Sequence, residues 1–116
     1  NIIRNAIDAL QTGSVVEKRL SITLSSPRDE IVAIEITDTG EGIQSDMLNR
    51  IFEPFVTGKA QGTGLGLALS HEIVAGHQGE IKGLSPVHEG SQGPYGTTFR
   101  IELPRQKMPG AVVDGA

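Results

Sequence analysis

Gly62-Thr63-Gly64-Leu65-Gly66-Leu67 places a glycine at every second position and then runs straight into a helical pattern. From Leu65 to about Ala75 the apolar residues Leu65, Leu69, Ile73 and Val74 return at helical spacing, so the three glycines stand at a helix N-terminus. Two readings are open there. The unpaired backbone N–H groups and the positive end of the helix dipole can hold an anion such as a phosphate, or the glycines simply cap the helix. The run lacks the Lys-Ser/Thr pair that follows the last glycine of a Walker loop. Its spacing also differs from the dinucleotide fingerprint, and no strand leads directly into it.

Upstream, Arg19 to Ser25 alternates Leu20, Ile22 and Leu24 with polar residues, and Ile31 to Thr37 alternates Ile34 and Ile36 with Glu35 and Thr37. With the turn residues Pro27-Arg28-Asp29-Glu30 between them, these segments predict a hairpin. Asp38-Thr39-Gly40-Glu41-Gly42-Ile43 leaves the second strand as a glycine-bearing loop. Asp38 either opens a turn or points a carboxylate into a pocket floored by backbone, where an adenine amino group is a natural donor to it. An aspartic-protease reading of Asp-Thr-Gly needs a second triplet and all-β patterning, and the helical segments argue against it. Ser45 is the expected cap of a short helical stretch through Met47, Leu48 and Ile51.

At the start of the chain, Ile2, Ile3, Ala6, Ala9 and Leu10 form one stripe of an amphipathic helix over residues 1 to about 12, ended by Gly13. The pattern is helical from the first residue with no cap before it, which predicts missing residues upstream. Asn1 and Asn5 are one turn apart and share a face. An amide oxygen beside a triphosphate is a reasonable Mg2+ ligand, and a solvent-facing pair is the alternative. Downstream, Glu80 to Leu84 and Thr98 to Leu103 read as a closing pair of strands. Pro104 to Ala116 has no periodicity, so residues 1–103 are the expected domain and 104–116 a tail or linker.

The bulk properties narrow the possibilities. A chain of 116 residues makes one domain. The net charge of -4 argues against nucleic-acid binding, and the absence of cysteine excludes a disulfide framework or thiolate chemistry. No apolar run approaches the roughly 20 residues that span a bilayer. A cytoplasmic place for the domain follows as the expectation, with the parent protein free to be anchored in an inner membrane.

In this order the motifs resemble the ATP-binding domain of sensor histidine kinases, in the superfamily shared with gyrase, Hsp90 and mismatch-repair clamps. Asn1 to Ala9 looks like the N box, Asp38 to Ile43 the first glycine box, Ile51-Phe52-Glu53-Pro54-Phe55 the F box, Gly62 to Leu67 the second glycine box, and Gly96-Thr97-Thr98-Phe99 the last. The resemblance implies the Bergerat ATP-binding fold, a two-layer α/β (α+β) sandwich. Its mixed, mostly antiparallel sheet of about five strands would pack on about three helices.

The resemblance also assigns roles for ATP and Mg2+. Asn5 would be the metal ligand and a catalytic residue, with Asn1 and Asp8 lining the same side of the helix. Asp38 would accept the adenine amino hydrogen, Gly40, Gly42 and Ile43 would let the base lie against backbone, and Thr97 or Thr98 would support that corner. Lys59 would be a mobile charge on the phosphates. Gly62, Thr63, Gly64, Leu65 and Gly66 would hinge a lid over the nucleotide, and Phe52 and Phe55 would anchor that lid to the core.

Some features depart from the family. The lid, Val56-Thr57-Gly58-Lys59-Ala60-Gln61, is short, and Gly58 stands where lids of this type have a second Thr, which implies a looser lid around Lys59. The family's N-terminal strand and the beginning of its first helix have no counterpart here. In the ATP-hydrolysing relatives a glutamate four residues before the metal asparagine activates water, and here that position is Asn1, an amide with no useful basicity. Poor hydrolysis and transfer of the γ-phosphate to another acceptor follow. His71, His77 and His88 read as surface or capping residues. The resemblance therefore implies an acceptor histidine on a separate helical dimerisation domain of the same parent chain, a homodimeric parent and a downstream response regulator. An anti-sigma-factor-type serine kinase and a nucleotide-binding pseudokinase are the alternatives.

Overall fold

The computed structural model describes residues 1–12, 17–56, 64–90 and 93–105. The elements in chain order are α1 (Ile2–Thr12), β1 (Leu20–Arg28), β2 (Ile31–Asp38), α2 (Ser45–Leu48), α3 (Gly66–Gly76), β3 (Glu80–Leu84) and β4 (Thr97–Pro104). They form two layers, a sheet with the strand order β1-β2-β4-β3 and the helices on one of its faces.

All three strand pairings are antiparallel. The expected mixed sheet of about five strands is thus, among the described residues, a four-stranded antiparallel one. The fifth strand was implied by the resemblance alone and attached to no residues of this chain. The hairpin turn is also tighter than expected. β1 runs on to Arg28 through a register shift between Ser25 and Arg28, which leaves only Asp29 and Glu30 in the turn. Pro27 can stay in the strand because β1 is an edge and its missing N–H faces no partner. The Ser26 hydroxyl lies within hydrogen-bond reach of the Arg28 and Ile31 carbonyls, 2.9 and 3.0 Å away.

β2 lies inside the sheet and pairs with β1 and β4 along its whole length, so its alternation decides what each face carries. Ile36 and Asp38 point toward the helices, and Thr37 toward the opposite face. The core is Ile2, Ala6, Ile36, Ile51, Val74, Ile81 and Phe99, with Phe52, Leu67, Ile101 and Leu103 among its partly buried flanks. Phe99 is 3% exposed, and its truncation to Ala costs about 3–5 kcal/mol.

Both main helices have the expected period with a different inward phase. In α1, Ile2 and Ala6 are buried while Ile3 is 45% exposed, because the next residue lies about 100° round the helix. In α3, Ser70 and Val74 are buried, whereas Leu69 and Ile73 of the expected stripe are 52% and 59% exposed. α3 is apolar nearly all round, so periodicity alone could not choose its inward side. Ser45 is the first residue of α2 rather than its cap. Gln44 holds that position and makes no side-chain capping bond, and its carbonyl accepts the Leu48 N–H at 2.9 Å. Gly13, expected to end α1, lies outside the described residues, as do residues 106–116.

Candidate functional site

β2 ends at Asp38, whose side chain is only 2% exposed. One carboxylate oxygen accepts the Gly40 N–H at 2.8 Å. Burial raises the carboxyl above its ordinary value of 3.8, opposed in order by the Gly40 N–H, the charge of His88 and the Thr97 N–H. A carboxylate has about four acceptor positions, so the Gly40 N–H leaves capacity for a further donor from a ligand. Gly40 brings this loop against α1, since a Cβ there would stand 2.8 Å from both the Cβ and the carbonyl oxygen of Ala9. Only a residue without a side chain allows that approach.

The last strand completes the floor. Thr97 is the cross-strand partner of Asp38 and faces the same side, and the Gly96 N–H donates to the Gly40 carbonyl at 2.8 Å. Thr98 points to the opposite face, where its hydroxyl pairs with that of Thr37 at 2.8 Å. Of the two threonines, Thr97 is therefore the one on the Asp38 face of the sheet. Sequence reasoning missed Ser85. Its hydroxyl accepts the Ile43 N–H at 2.8 Å, donates to the Gly96 carbonyl at 2.8 Å and meets the Thr97 hydroxyl at 3.3 Å. A serine in a Gly- and Pro-bearing loop reads as an ordinary turn residue, and no spacing rule singles it out. Gly42 lies beside it with φ 83°.

The other wall is made by the helices. The Asn1 side-chain amide donates to the Gly66 carbonyl at 3.2 Å, and the Ser70 hydroxyl donates to the same oxygen at 2.9 Å. This contact brings the first turns of α1 and α3 together. Asn1, Asn5 and Asp8 follow one another along a single face of α1, with Asn5 and Asp8 half-buried. α3 begins at Gly66, and Leu65 before it makes no side-chain capping bond. The donor set is hard oxygen and backbone N–H, which suits a cation held with phosphate. Lys59, Gly62 and Thr63 lie outside the described residues.

The two phenylalanines do not share one role. Phe52 packs toward the core, edge-on to Phe99 at 6.3 Å and tilted against His71 at 5.5 Å. The Phe55 side chain, expected to anchor the lid in the core, is instead 74% exposed. Its backbone makes the attachment. Phe55 has φ 68° and donates its N–H to the Gly64 carbonyl at 2.9 Å. Gly64 has φ 75°, and a Cβ on it would come within 2.5 Å of the Phe55 carbonyl carbon. The ring is turned away because the backbone has taken the left-handed region, which is rare for a bulky residue.

The histidines are exposed, as expected. His77 meets the Ile73 carbonyl at 2.7 Å at the end of α3, His71 lies against Phe52, and His88 stacks on Tyr95 at 5.1 Å. A shallow cleft of about 230 Å3 lined by Arg19, Ser21, Thr37, His88 and Tyr95 opens on the sheet's other face, away from the Asp38 carboxylate.

Comparison with known proteins agrees with this geometry. The chain is 37% identical over 106 residues to sporulation kinase A of Bacillus subtilis (strain 168), covering 91% of this chain and 16% of that protein. The mycobacterial sensor histidine kinase MprB superposes with a TM-score of 0.75 at 29% identity, over 92% of this chain and 67% of that one. Full-length ShkA, solved in complex with AMPPNP, superposes with a TM-score of 0.66 at 28% identity, over 89% of this chain and 20% of that one. The chain thus spans about a sixth of the length of the curated relative. Residues 1–107 match one family along nearly the whole described fold. The chain belongs to the histidine kinase-, DNA gyrase B- and HSP90-like ATPases.

Proposed function

We propose that this chain is the catalytic unit of a sensor histidine kinase, which binds ATP with Mg2+ and donates the γ-phosphate to a histidine on a separate helical dimerisation domain of the same parent protein. The buried Asp38 carboxylate at the end of β2 carries the reading. Burying an acid is costly, the Gly40 N–H offsets only part of that cost, and the lone pairs that remain offer an acceptor to the adenine amino group. In this reading Gly40, Gly42 and Ile43 bring bare backbone against the base, and Thr97 supports the polar corner. Asn5 gives the cation an amide oxygen beside the phosphates, and Asn1 and Asp8 line the same helix face. Gly62, Thr63, Gly64, Leu65 and Gly66 border the phosphates, Lys59 adds charge, and Phe52 braces the F box.

Bound ATP supplies the phosphoryl group, and the protein's own contribution is positioning and electrostatics. Asn1 supports transfer over hydrolysis, because no carboxylate stands there to activate water. The acceptor domain, a homodimeric parent and a response regulator downstream belong to the same reading. So does the division into a catalytic unit, residues 1–103 extended to the end of β4, and a following tail.

Calorimetric titration with Mg2+ and AMPPNP tests the site. Saturable binding by the wild type and a loss of about 100-fold in Asp38→Asn are expected. An empty site, or binding indifferent to Asp38, overturns the proposal. With labelled ATP, the chain alone should stay unlabelled and turn over ATP at close to background. Added phosphoacceptor domain should become labelled.

A further inference from the structure

The Ser85 hydroxyl stands where three distant segments meet. It follows β3, accepts from Ile43 in the first glycine-bearing loop, and donates to Gly96 ahead of β4. Gly96 in turn donates to Gly40 at 2.8 Å. A closed circuit of hydrogen bonds therefore runs from Gly40 through Gly96 and Ser85 to Ile43, around the loop that follows Asp38. The packing there is tight: a Cβ on Gly42 would stand 2.9 Å from the Ser85 oxygen, and a Cβ on Gly96 would stand 2.8 Å from the Asp38 carbonyl oxygen.

A serine hydroxyl has one proton to give and two lone pairs to accept with. Here the proton goes to Gly96, and the Ile43 N–H and the Thr97 hydroxyl take the acceptor positions. Ser85 has nothing left to offer a ligand, so any effect it has on binding must act through the loop and the strand end that it joins.

We infer that Ser85 is a positioning residue that sets base selectivity, by fixing the Gly40–Ile43 loop and the Gly96–Thr97 corner about the Asp38 carboxylate. The inference rests on the ATP reading above. An adenine presents an amino donor where a guanine presents a carbonyl acceptor, and a fixed carboxylate accepts from the first and repels the second. If the loop loosens, water can enter between base and acid, and the distinction weakens.

The test uses the full chain and its Ser85→Ala, Ser85→Cys and Ser85→Thr variants. Mg2+-ATP and Mg2+-GTP affinities are measured by calorimetry, and backbone amide exchange is followed without nucleotide. In Ser85→Ala we expect about tenfold weaker ATP binding, a several-fold fall in the ATP/GTP affinity ratio, and faster exchange at Ile43. Ser85→Thr, which keeps a hydroxyl, should recover most of the ratio. Ser85→Cys keeps the side-chain size with a weaker donor, and gives the same reading if the Ala variant does not fold. An unchanged ATP/GTP ratio in Ala and Cys variants overturns the inference even if they are less stable, because a merely structural role would move stability and leave selectivity alone. If the wild type binds neither nucleotide, the ATP reading itself has failed and the selectivity role with it.

Discussion

The two sides of the candidate site are held by different means. On the Asp38 side, a carboxylate 2% exposed, the Gly96 N–H and the Ser85 hydroxyl tie the ends of β2, β3 and β4 into one bonded unit. On the helix side, Phe55 and Gly64, which flank the lid segment, meet through a backbone bond, beside an aromatic ring that is 74% exposed. One side is tied by several hydrogen bonds between distant segments, and the other depends on a close backbone crossing that few residue types permit. In the proposed reading, base recognition belongs to the sheet and phosphate contact to the helix termini. Substitutions on the two sides should fail in different ways.

Asp38→Asn should have the largest effect, the loss of about 100-fold in nucleotide affinity, with the fold retained by circular dichroism. The same residue should show in stability. Its carboxyl is raised by burial, so the folded state holds that proton more tightly, and the stability it contributes is present below 3.8 and lost as pH rises through the raised value. Urea midpoints of wild type relative to Asp38→Asn should thus fall with pH across that window and level off above it. A flat difference would break the account of the buried acid.

Gly64→Ala comes next, because the new methyl meets Phe55 backbone at 2.5 Å with φ 75°. About 2 kcal/mol of destabilisation is expected in urea titration, from positive-φ strain and the clash together. Full stability in this variant would show that the lid base is not fixed as described. Asn5→Ala sharpens the helix side further. Nucleotide affinity should fall about tenfold with Mg2+ present and hardly at all in EDTA, since in the proposed reading Asn5 acts on the nucleotide through the cation. An equal loss in both conditions would remove Asn5 from the metal. Phe55→Ala should do least, within about 0.5 kcal/mol in urea midpoint, because the exposed ring contributes little beside its backbone. A large loss would mean that the ring anchors the lid after all.

Much of this architecture was legible beforehand. Alternation located β1 and β2, because the pleat of a strand turns successive side chains to opposite faces. The glycines at 40 and 42 marked the loop against which other segments close, and the helical period found α1 and α3. The order of five short motifs along the chain pointed to the family before any contact was known. These features are local: each depends on residues a few positions apart, whose spacing the chain itself displays.

The rest required chain segments to meet. Leu69 and Ile73 repeat as regularly as Ser70 and Val74, and packing against the sheet turned the second pair inward. Thr97 and Thr98 are adjacent and alike, and pairing with Asp38 on β2 distinguished them. Phe55 looked like a core aromatic until the crossing with Gly64 turned its ring out. Ser85 carried no signal, since a hydroxyl is defined by its partners, and here two of them lie 42 and 11 residues away. A period specifies a repeat but not which side faces inward, and a polar side chain's role is set by the distant groups that folding places around it.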